Sequence, residues 1–335
     1  MTEPLLPPLR WLSASDVVAA MPPISERLAL AERTMVALAT PGGAEMPPKV
    51  AIHPRPAASF MHAMPAMLRG TDLFGDRLGM KWVAGYATNN EIGLAGISAL
   101  VIVNDPATGI PLAIMDGGPI TAQRTAAVSG VALQRFGPDV SGRPVRAALI
   151  GAGVQGRSHL PVLGHTVSGV ELHLFDPDPR RSNALAEEAR ATVGIGSVVV
   201  EQSARDAIEG ADVVLTAAAF GPPEDRQQMT NAWLAAGATI IPIDYATYCA
   251  AEVAEQAALF IVDERGQYLA NRDAGNFDGY PDPDATLGEA ILAGTPRPAG
   301  RVVITHLGVG LSDVVFSDAI LKSAEAQGLG MELPR

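Results

Sequence analysis

Apolar residues in this chain recur with two different spacings. From Ser13 to Met21 and from Ile24 to Leu38, Leu, Val, Ala and Met return every three or four positions, the helical period. The second helix is opened by Pro22-Pro23 or Ser25 and closed by Gly42-Gly43. Short runs then follow at Val50–His53, Ser59–Met64, Leu78–Gly85 and Leu100–Asn104, divided by Pro, Gly and Asn, and these predict strands. Asn104-Asp105-Pro106-Ala107-Thr108-Gly109 predicts a tight turn, with Pro111–Met115 as the return strand. Pro119–Phe136 reads as one long helix, with Thr121 near its start and Gly137-Pro138 at its end.

From Val145 onward strand and helix alternate. Strands are expected at Val145–Ile150, Val170–Phe175, Ser197–Val200, Val213–Thr216, Thr239–Ile243, Leu259–Val262 and Val302–Thr305. Helices are expected between most of them, for example Pro179–Thr192 and Asn231–Ala236. This order predicts an α/β fold with a right-handed, doubly wound parallel sheet in the middle of the chain. Ser312–Gln327 forms a last helix after the bend at Gly308 and Gly310, and it can return to the antiparallel first part.

The first strand of the alternating part runs into Gly151-Ala152-Gly153-Val154-Gln155-Gly156. Strand, G-x-G-x-x-G and helix start together are the signature of a dinucleotide-binding Rossmann unit. Gly151 permits the turn, Gly153 admits a pyrophosphate close to the backbone, and Gly156 allows close helix packing. Val154 and Gln155 lie at the helix start, whose free N–H groups favour phosphate. Asp176 ends the next strand, 25 residues after Gly151, near the place of an acid that accepts from a ribose 2′-OH. It favours NAD over NADP, while Arg180 and Arg181 pull the other way.

Composition narrows the class. The chain has 335 residues, 48% hydrophobic and 18% charged, enough for two packed domains. A net charge of −12 disfavours nucleic acid and anionic membranes as partners. The single cysteine, Cys249, excludes an internal disulfide and a cysteine-based zinc site, and no His/Asp/Glu cluster has metal-ligand spacing, so no metal is expected. The N-terminal stretch has no basic region followed by an apolar core, and no uncharged apolar run reaches membrane-spanning length, so a cytoplasmic protein is expected.

Several residues have the chemistry of a redox site. Lys81 lies inside the apolar strand Gly79-Met80-Lys81-Trp82-Val83, on the side of Gly79 and Val83. It is either a carboxylate ligand and proton donor of lowered pKa, or an ammonium snorkelling to solvent. Arg124, near Thr121 and Thr125, is either a bidentate carboxylate clamp or an arginine on a solvated helix face. Lys49 has the same two readings. Asp244 follows the strand Thr239–Ile243, at the sheet edge where ligands bind, and is otherwise a cap or turn former. His62 and His306 are proton relays or structural histidines.

Together these segments resemble one family. Lys81-Trp82-Val83-Ala84-Gly85-Tyr86 with Asn89-Asn90 and Gly93-Leu94 is similar to the K-W-V-N-G-Y…N…G-L block of the ornithine cyclodeaminase/mu-crystallin family. Asp105 to Gly109, Pro111-Leu112 and Thr121 to Ala127 resemble its D-x-x-T-G-x-P-L…T-A-x-R-T-A-A signature. Leu307-Gly308 with Asp313 resembles its C-terminal L-G…D segment. The similarity runs from about Pro47 to Ala319.

The resemblance implies a homodimer. It also implies a substrate and dimerisation domain of residues 1–125 completed by 312–335, with a Rossmann domain of residues 126–311 between. It implies that Lys81 and Arg124 hold a substrate carboxylate, with Lys49, His62 and Met64 around it. Cofactor contacts are expected at Thr125, the glycine turn, Asp176, Arg180, Ala217, Asp244 and Gly308. Three positions depart from the family pattern. Lys49 stands where the family carries Arg, and His62 precedes Met64-Pro65 where ornithine cyclodeaminases carry Glu. Pro242-Ile243-Asp244-Tyr245-Ala246 replaces G-x-D-x-P-G-K, with Asp244 two positions early and Ala246 in the aspartate's slot. The expected function is NAD(P)H-dependent reduction of an imino acid, or amino-acid oxidation, at a C–N bond next to a carboxylate. The alternatives are a cyclodeaminase that recycles bound NAD, and a nucleotide- and ligand-binding protein without turnover, like mu-crystallin.

Overall fold

The computed structural model describes residues 6–55, 59–70 and 75–335; the first five residues of the N-terminal stretch lie outside it. The chain divides into two compact units, residues 1–124 with 309–335, and residues 125–308.

The first unit contains strands β1 (Leu9–Leu12), β2 (Ala44–Glu45), β3 (Val50–Ile52), β4 (Phe60–Leu68), β5 (Arg77–Gly85), β6 (Ile97–Asn104) and β7 (Pro111–Asp116). The second contains β8 (Arg146–Ile150), β9 (Val170–Phe175), β10 (Ile195–Val200), β11 (Val213–Thr216), β12 (Thr239–Pro242), β13 (Leu259–Val262), β14 (Ala285–Thr286) and β15 (Val302–Thr305). β16 (Met331–Leu333) returns to the first unit.

The first sheet has the order β16-β1-β7-β6-β5-β4-β2, with β3 paired to β4. Its central pairs are antiparallel. The turn between β6 and β7 forms because the Asp105 carboxylate accepts N–H bonds from Ala107 and Thr108, and Gly109 takes a positive φ. Burial alternates along β5, where Gly79, Lys81, Val83 and Gly85 face inward. The C-terminal helix Gly310–Gln327 covers that face across β4, β5 and β6. Gly310 is required for this approach, since a Cβ there would lie 2.8 Å from the Met64 carbonyl oxygen. Gly79 has Val314 as its neighbour in the helix.

The second sheet is wholly parallel, in the order β10-β9-β8-β11-β12-β15-β13-β14. Chain order runs outward from β8 through β9 to β10 on one side and from β11 to β12 on the other, with β15 inserted between β12 and β13, so the switch point of a doubly wound fold lies between β8 and β11. β8, β11, β12 and β15 are nearly all apolar and buried, as strands covered on both faces require.

Local details differ at two places. The helix expected at Asn231–Ala236 is a single 3-10 turn, Asn231–Trp233, after which Leu234 is extended. The Glu252 carboxylate accepts the Asn231 N–H and its carbonyl accepts from the Asn231 side chain, and the chain turns extended at Leu234 on its way into β12. The second helix, Ile24–Ala39, starts behind Pro23, as the proline pair suggests, and ends shortly before Gly42-Gly43. β1 and β16, which periodicity does not mark, pair with each other.

Candidate functional site

In the second unit the glycine turn leaves β8 at the switch point. Gly151 has φ +101°, and a Cβ there would meet the Ala217 carbonyl oxygen at 2.4 Å. Ala217 follows β11 and donates its N–H to Ile150 O at 2.7 Å, so the two strand ends are locked together. A Cβ on Gly156 would sit 2.1 Å from Gly151 O, so only glycine lets the helix Val154–Thr166 start this close to the strand. A Cβ on Gly153 would meet nothing. The space above Gly153 is open, and no side chain caps the helix start at Val154 and Gln155.

Asp176 points back at this turn. Its Oδ2 accepts Ala152 N–H at 2.8 Å, and its Oδ1 accepts Asp178 N–H at 2.9 Å. Arg180 lies in the first turn of the helix Pro179–Arg190 and forks onto the Asp178 carboxylate at 2.9 and 3.1 Å. Gly308 has a positive φ, and its N–H and that of Leu307 both donate to buried Asp263 Oδ2. Thr125 is buried.

A buried polar chain braces the same unit. Ser129 Oγ is 2.8 Å from His159 Nε2 and 2.9 Å from His306 Nε2. His159 Nδ1 lies 2.7 Å from the Gln155 carbonyl, which can only accept. That assigns the proton to Nδ1 of His159, the Ser129 hydroxyl as donor to its Nε2, and His306 Nε2 as donor to Ser129. Burial pushes His159 down to about 4, so it is neutral at physiological pH. Both histidines act here as braces between helices and the β15 end.

Asp244 sits just beyond β12. It is buried; Oδ2 accepts Ala218 N–H at 3.4 Å, and Oδ1 has no hydrogen-bond partner among the described residues. Burial pushes its carboxyl up to about 6. Asp244 does not cap a helix, because the next one, Ala251–Glu255, starts behind Ala250. Tyr245 and Ala246 follow at φ +54° and +58°, two consecutive non-glycine residues in the left-handed region. The Tyr245 hydroxyl donates to Leu307 O at 3.3 Å.

In the first unit the structure brings Lys81, Arg124 and Asp313 into one buried cluster. Lys81 Nζ donates to Asp313 Oδ1 at 3.0 Å and to Thr121 Oγ1 at 3.3 Å, and Arg124 Nε donates to the same Asp313 oxygen at 3.3 Å. The Lys81 side chain is 2% exposed, that of Arg124 6%, and Asp313 is fully buried. Neither snorkelling of Lys81 nor a solvated face for Arg124 fits this placement. Burial pushes the Lys81 ammonium down to about 8, against the pull of Asp313 and with the added push of Arg124 and Lys49. Asp313 Oδ2 is buried without a hydrogen-bond partner among the described residues.

His62 and Met64 lie on β4 opposite Val83 and Lys81, on the same sheet face as Lys81. Burial, with the charges of Lys49, His53 and Lys81, pushes His62 down to about 4. The cluster therefore holds two cations on one carboxylate, with the charge of Lys49 felt as well: an excess of positive charge in a low-dielectric setting. Such a site favours an anionic group. Sequence reasoning assigned Asp313 no role in this site. Its signal is an acid between the apolar positions Leu311 and Val314-Val315-Phe316. Among the described residues no group of three or more His, Cys, Asp or Glu could hold a metal ion. No described helix is long and apolar enough to cross a membrane.

Comparison with known proteins agrees with these features. The chain is 31% identical to the nodulation efficiency protein NfeD of Rhizobium meliloti over 332 residues, covering 97% of this chain and 98% of that protein. It is 30% identical to the ketimine reductase mu-crystallin of Mus musculus over 287 residues, covering 84% and 86%. Among solved structures, the Thermococcus litoralis Δ1-pyrroline-2-carboxylate reductase in complex with NADH and L-proline superposes with a TM-score of 0.83 at 26% identity, covering 97% of this chain and all of that one. The profile of the ornithine cyclodeaminase/mu-crystallin family matches residues 15–277. With a glycine turn at the sheet's switch point and the family's own lysine, arginine and aspartate gathered in one buried cluster, this chain belongs to the ornithine cyclodeaminase/mu-crystallin family.

Proposed function

We propose that this chain is a nicotinamide-dependent oxidoreductase that reduces the C=N bond of an imino acid to an amine, or runs the reverse, next to a carboxylate. The observation that carries the reading is the buried Lys81–Asp313–Arg124 cluster, with its excess positive charge and its unpartnered carboxylate oxygen. Lys81, Arg124 and Lys49 attract the substrate carboxylate. Asp313 holds Lys81 and Arg124 in place through Oδ1 and offers Oδ2 to an N–H of the substrate. Lys81, poised at about 8, gives the nitrogen its proton and regains one from solvent. His62 and Met64 shape the surroundings of the reacting carbon.

The unit of residues 125–308 is the cofactor holder in this reading. Gly151 to Gly156 form a cradle, with open space at Gly153 and uncapped N–H groups at the helix start, which fits a pyrophosphate. Bound nicotinamide dinucleotide supplies or takes the hydride. Asp176, Ala217 and Gly308 border the turn or the neighbouring strand ends. Asp244, pushed up to about 6 and lacking a partner on Oδ1, is the second group able to carry a proton. NAD-dependent imine reduction also agrees with the relatives named for ketimine and pyrroline-carboxylate reduction.

The first unit is then the substrate and dimer unit. The outward face of its sheet exposes Val50, Ile52, Trp82 and Leu100, an apolar patch that suits a second copy of the chain.

The test is a screen of cyclic imino acids and of keto acids with amines, using NADH and NADPH. Loss of reduced nicotinamide absorbance in step with amine formation supports the reading. Product formed without net cofactor oxidation replaces it with the cyclodeaminase, and ligand binding without turnover replaces it with a binding protein.

A further inference from the structure

His62 stands half-buried on β4, on the inward face of the first sheet. Its ring stacks on Phe60 with centroids 4.6 Å apart and planes inclined by 28°, and Phe60 in turn packs on Met64, Val83 and Ala99. That packing holds the ring and leaves its two nitrogens at the edge of the stack. Across the pair with β3, Ala51 lies opposite His62, and Lys49 and His53 flank Ala51 two positions to either side. Lys81 lies opposite Met64, two residues along β4 from His62. Burial first, and then the charges of Lys49, His53 and Lys81, push the imidazole down to about 4.

The potential that drives a proton from this imidazole repels an ammonium and draws a carboxylate to the same place. The helix Gly310–Gln327 adds to it, since its N-terminus starts beside Met64 with no side-chain cap. In the reading above, the carboxylate next to the reacting carbon is taken by Lys81 and Arg124. His62 lies about 7 Å along the strand from the position that faces Lys81. It therefore meets the far end of a substrate side chain. The distal ammonium of a diamino acid would meet like charge there, and a hydrocarbon end would leave the potential unanswered.

We propose that the substrate is a short 2-imino dicarboxylic acid, its second carboxylate held at His62 with Lys49 and His53 beside it. The inference rests on the imine-reducing reading above and adds the chemistry of the substrate's side chain. A neutral imidazole still carries one N–H, which donates to that carboxylate. The second carboxylate takes no part in the bond changes at C=N. Its function is selection, since the basic groups around His62 reward an anionic side chain over a neutral one and penalise a cationic one.

The experiment compares acids matched in chain length. With ammonia and NADH, oxaloacetate and 2-oxoglutarate are set against 2-oxobutyrate and 2-oxovalerate, and oxidation of 2,4-diaminobutyrate and ornithine is followed with NAD. Calorimetry with NAD present sets glutarate against valerate. For the native protein, kcat/KM of each dicarboxylic acid is expected to exceed that of its neutral match by about tenfold or more, and glutarate to bind tighter than valerate by a similar factor. His62→Glu should lower the dicarboxylic-to-neutral ratio by about tenfold or more. Where that variant fails to fold, the native comparison decides alone. Neutral or diamino substrates turned over as well as the dicarboxylic ones overturn the proposal, as does a folded His62→Glu protein that keeps the native ratio. Turnover of none of these acids overturns the imine-reducing reading. A preference for glutarate over valerate then retains the second anion site in a binding protein, and equal binding of the two ends both.

Discussion

At the scale of single residues, Lys81 and Asp244 are buried ionisable groups with displaced protonation. Replacing Lys81 with Met removes the proposed proton donor, and kcat is expected to fall by about 100-fold or more. Retained kcat in a folded Lys81→Met protein would remove Lys81 from the chemistry. Arg124→Ala should act differently, raising KM for the carboxylate substrate by about tenfold or more. An unchanged KM would confine Arg124 to bracing Asp313. For Asp244 the folded pKa of about 6 lies above the ordinary 3.8, so its stabilising contribution is complete below about pH 4 and is lost as pH rises through 6. The loss is on the order of 3 kcal/mol at neutral pH. Asp244→Asn, which never ionises, should therefore melt at the same temperature as the native protein near pH 4 and several degrees higher near pH 7.5. Equal Tm values across that range would show that Asp244 is solvated in solution. His159, pushed down to about 4, has the opposite sign: its contribution is present above about 6.5 and fades as pH falls through 4.

At the scale of elements, the glycine turn separates packing from ligand binding. Gly156→Ala places a Cβ against the Gly151 carbonyl and should destabilise the second unit by about 2 kcal/mol or more. Gly153→Ala adds a Cβ to open space, so Tm should hold while NADH binding weakens by about tenfold. A Gly153→Ala protein with native NADH affinity would take the pyrophosphate away from this turn. The parallel strands were legible because β8, β9, β11, β13 and β15 are compact apolar runs between turn residues. The spacing at 231–236 suggests a helix that the chain does not form, because Leu234 turns extended toward β12 and Asn231 is held by Glu252, 21 positions away. β1 and β16 escaped notice because each is short and finds its partner at the far end of the chain. Lys81 is visible as an anomaly of pattern, a lysine inside an apolar strand, and Arg124 through the resemblance of Thr121 to Ala127 to the family signature. Their shared partner was not, since an aspartate in a first helical turn looks like any other helix-start acid.

At the scale of the whole molecule, the exposed face of the first sheet is where assembly is expected. Trp82 and Leu100 lie opposite one another on β5 and β6, 39% and 40% exposed. Trp82→Glu with Leu100→Glu should convert a dimer to a monomer in sedimentation analysis, with the near-native helix content retained. Native protein sedimenting as a monomer would leave that face for another purpose.

The interruption of the first unit by the second also has a consequence during synthesis. Residues 1–124 emerge from the ribosome long before 309–335, with an interval of 184 residues between them. At ordinary elongation rates that delay is roughly 10–40 s. Throughout it, Lys81 and Arg124 lack the carboxylate that will neutralise them, and the inward sheet face lacks its covering helix. The intervening unit, contiguous in sequence, can condense first. The early segment must stay open or be sheltered by a chaperone until its last helix is translated.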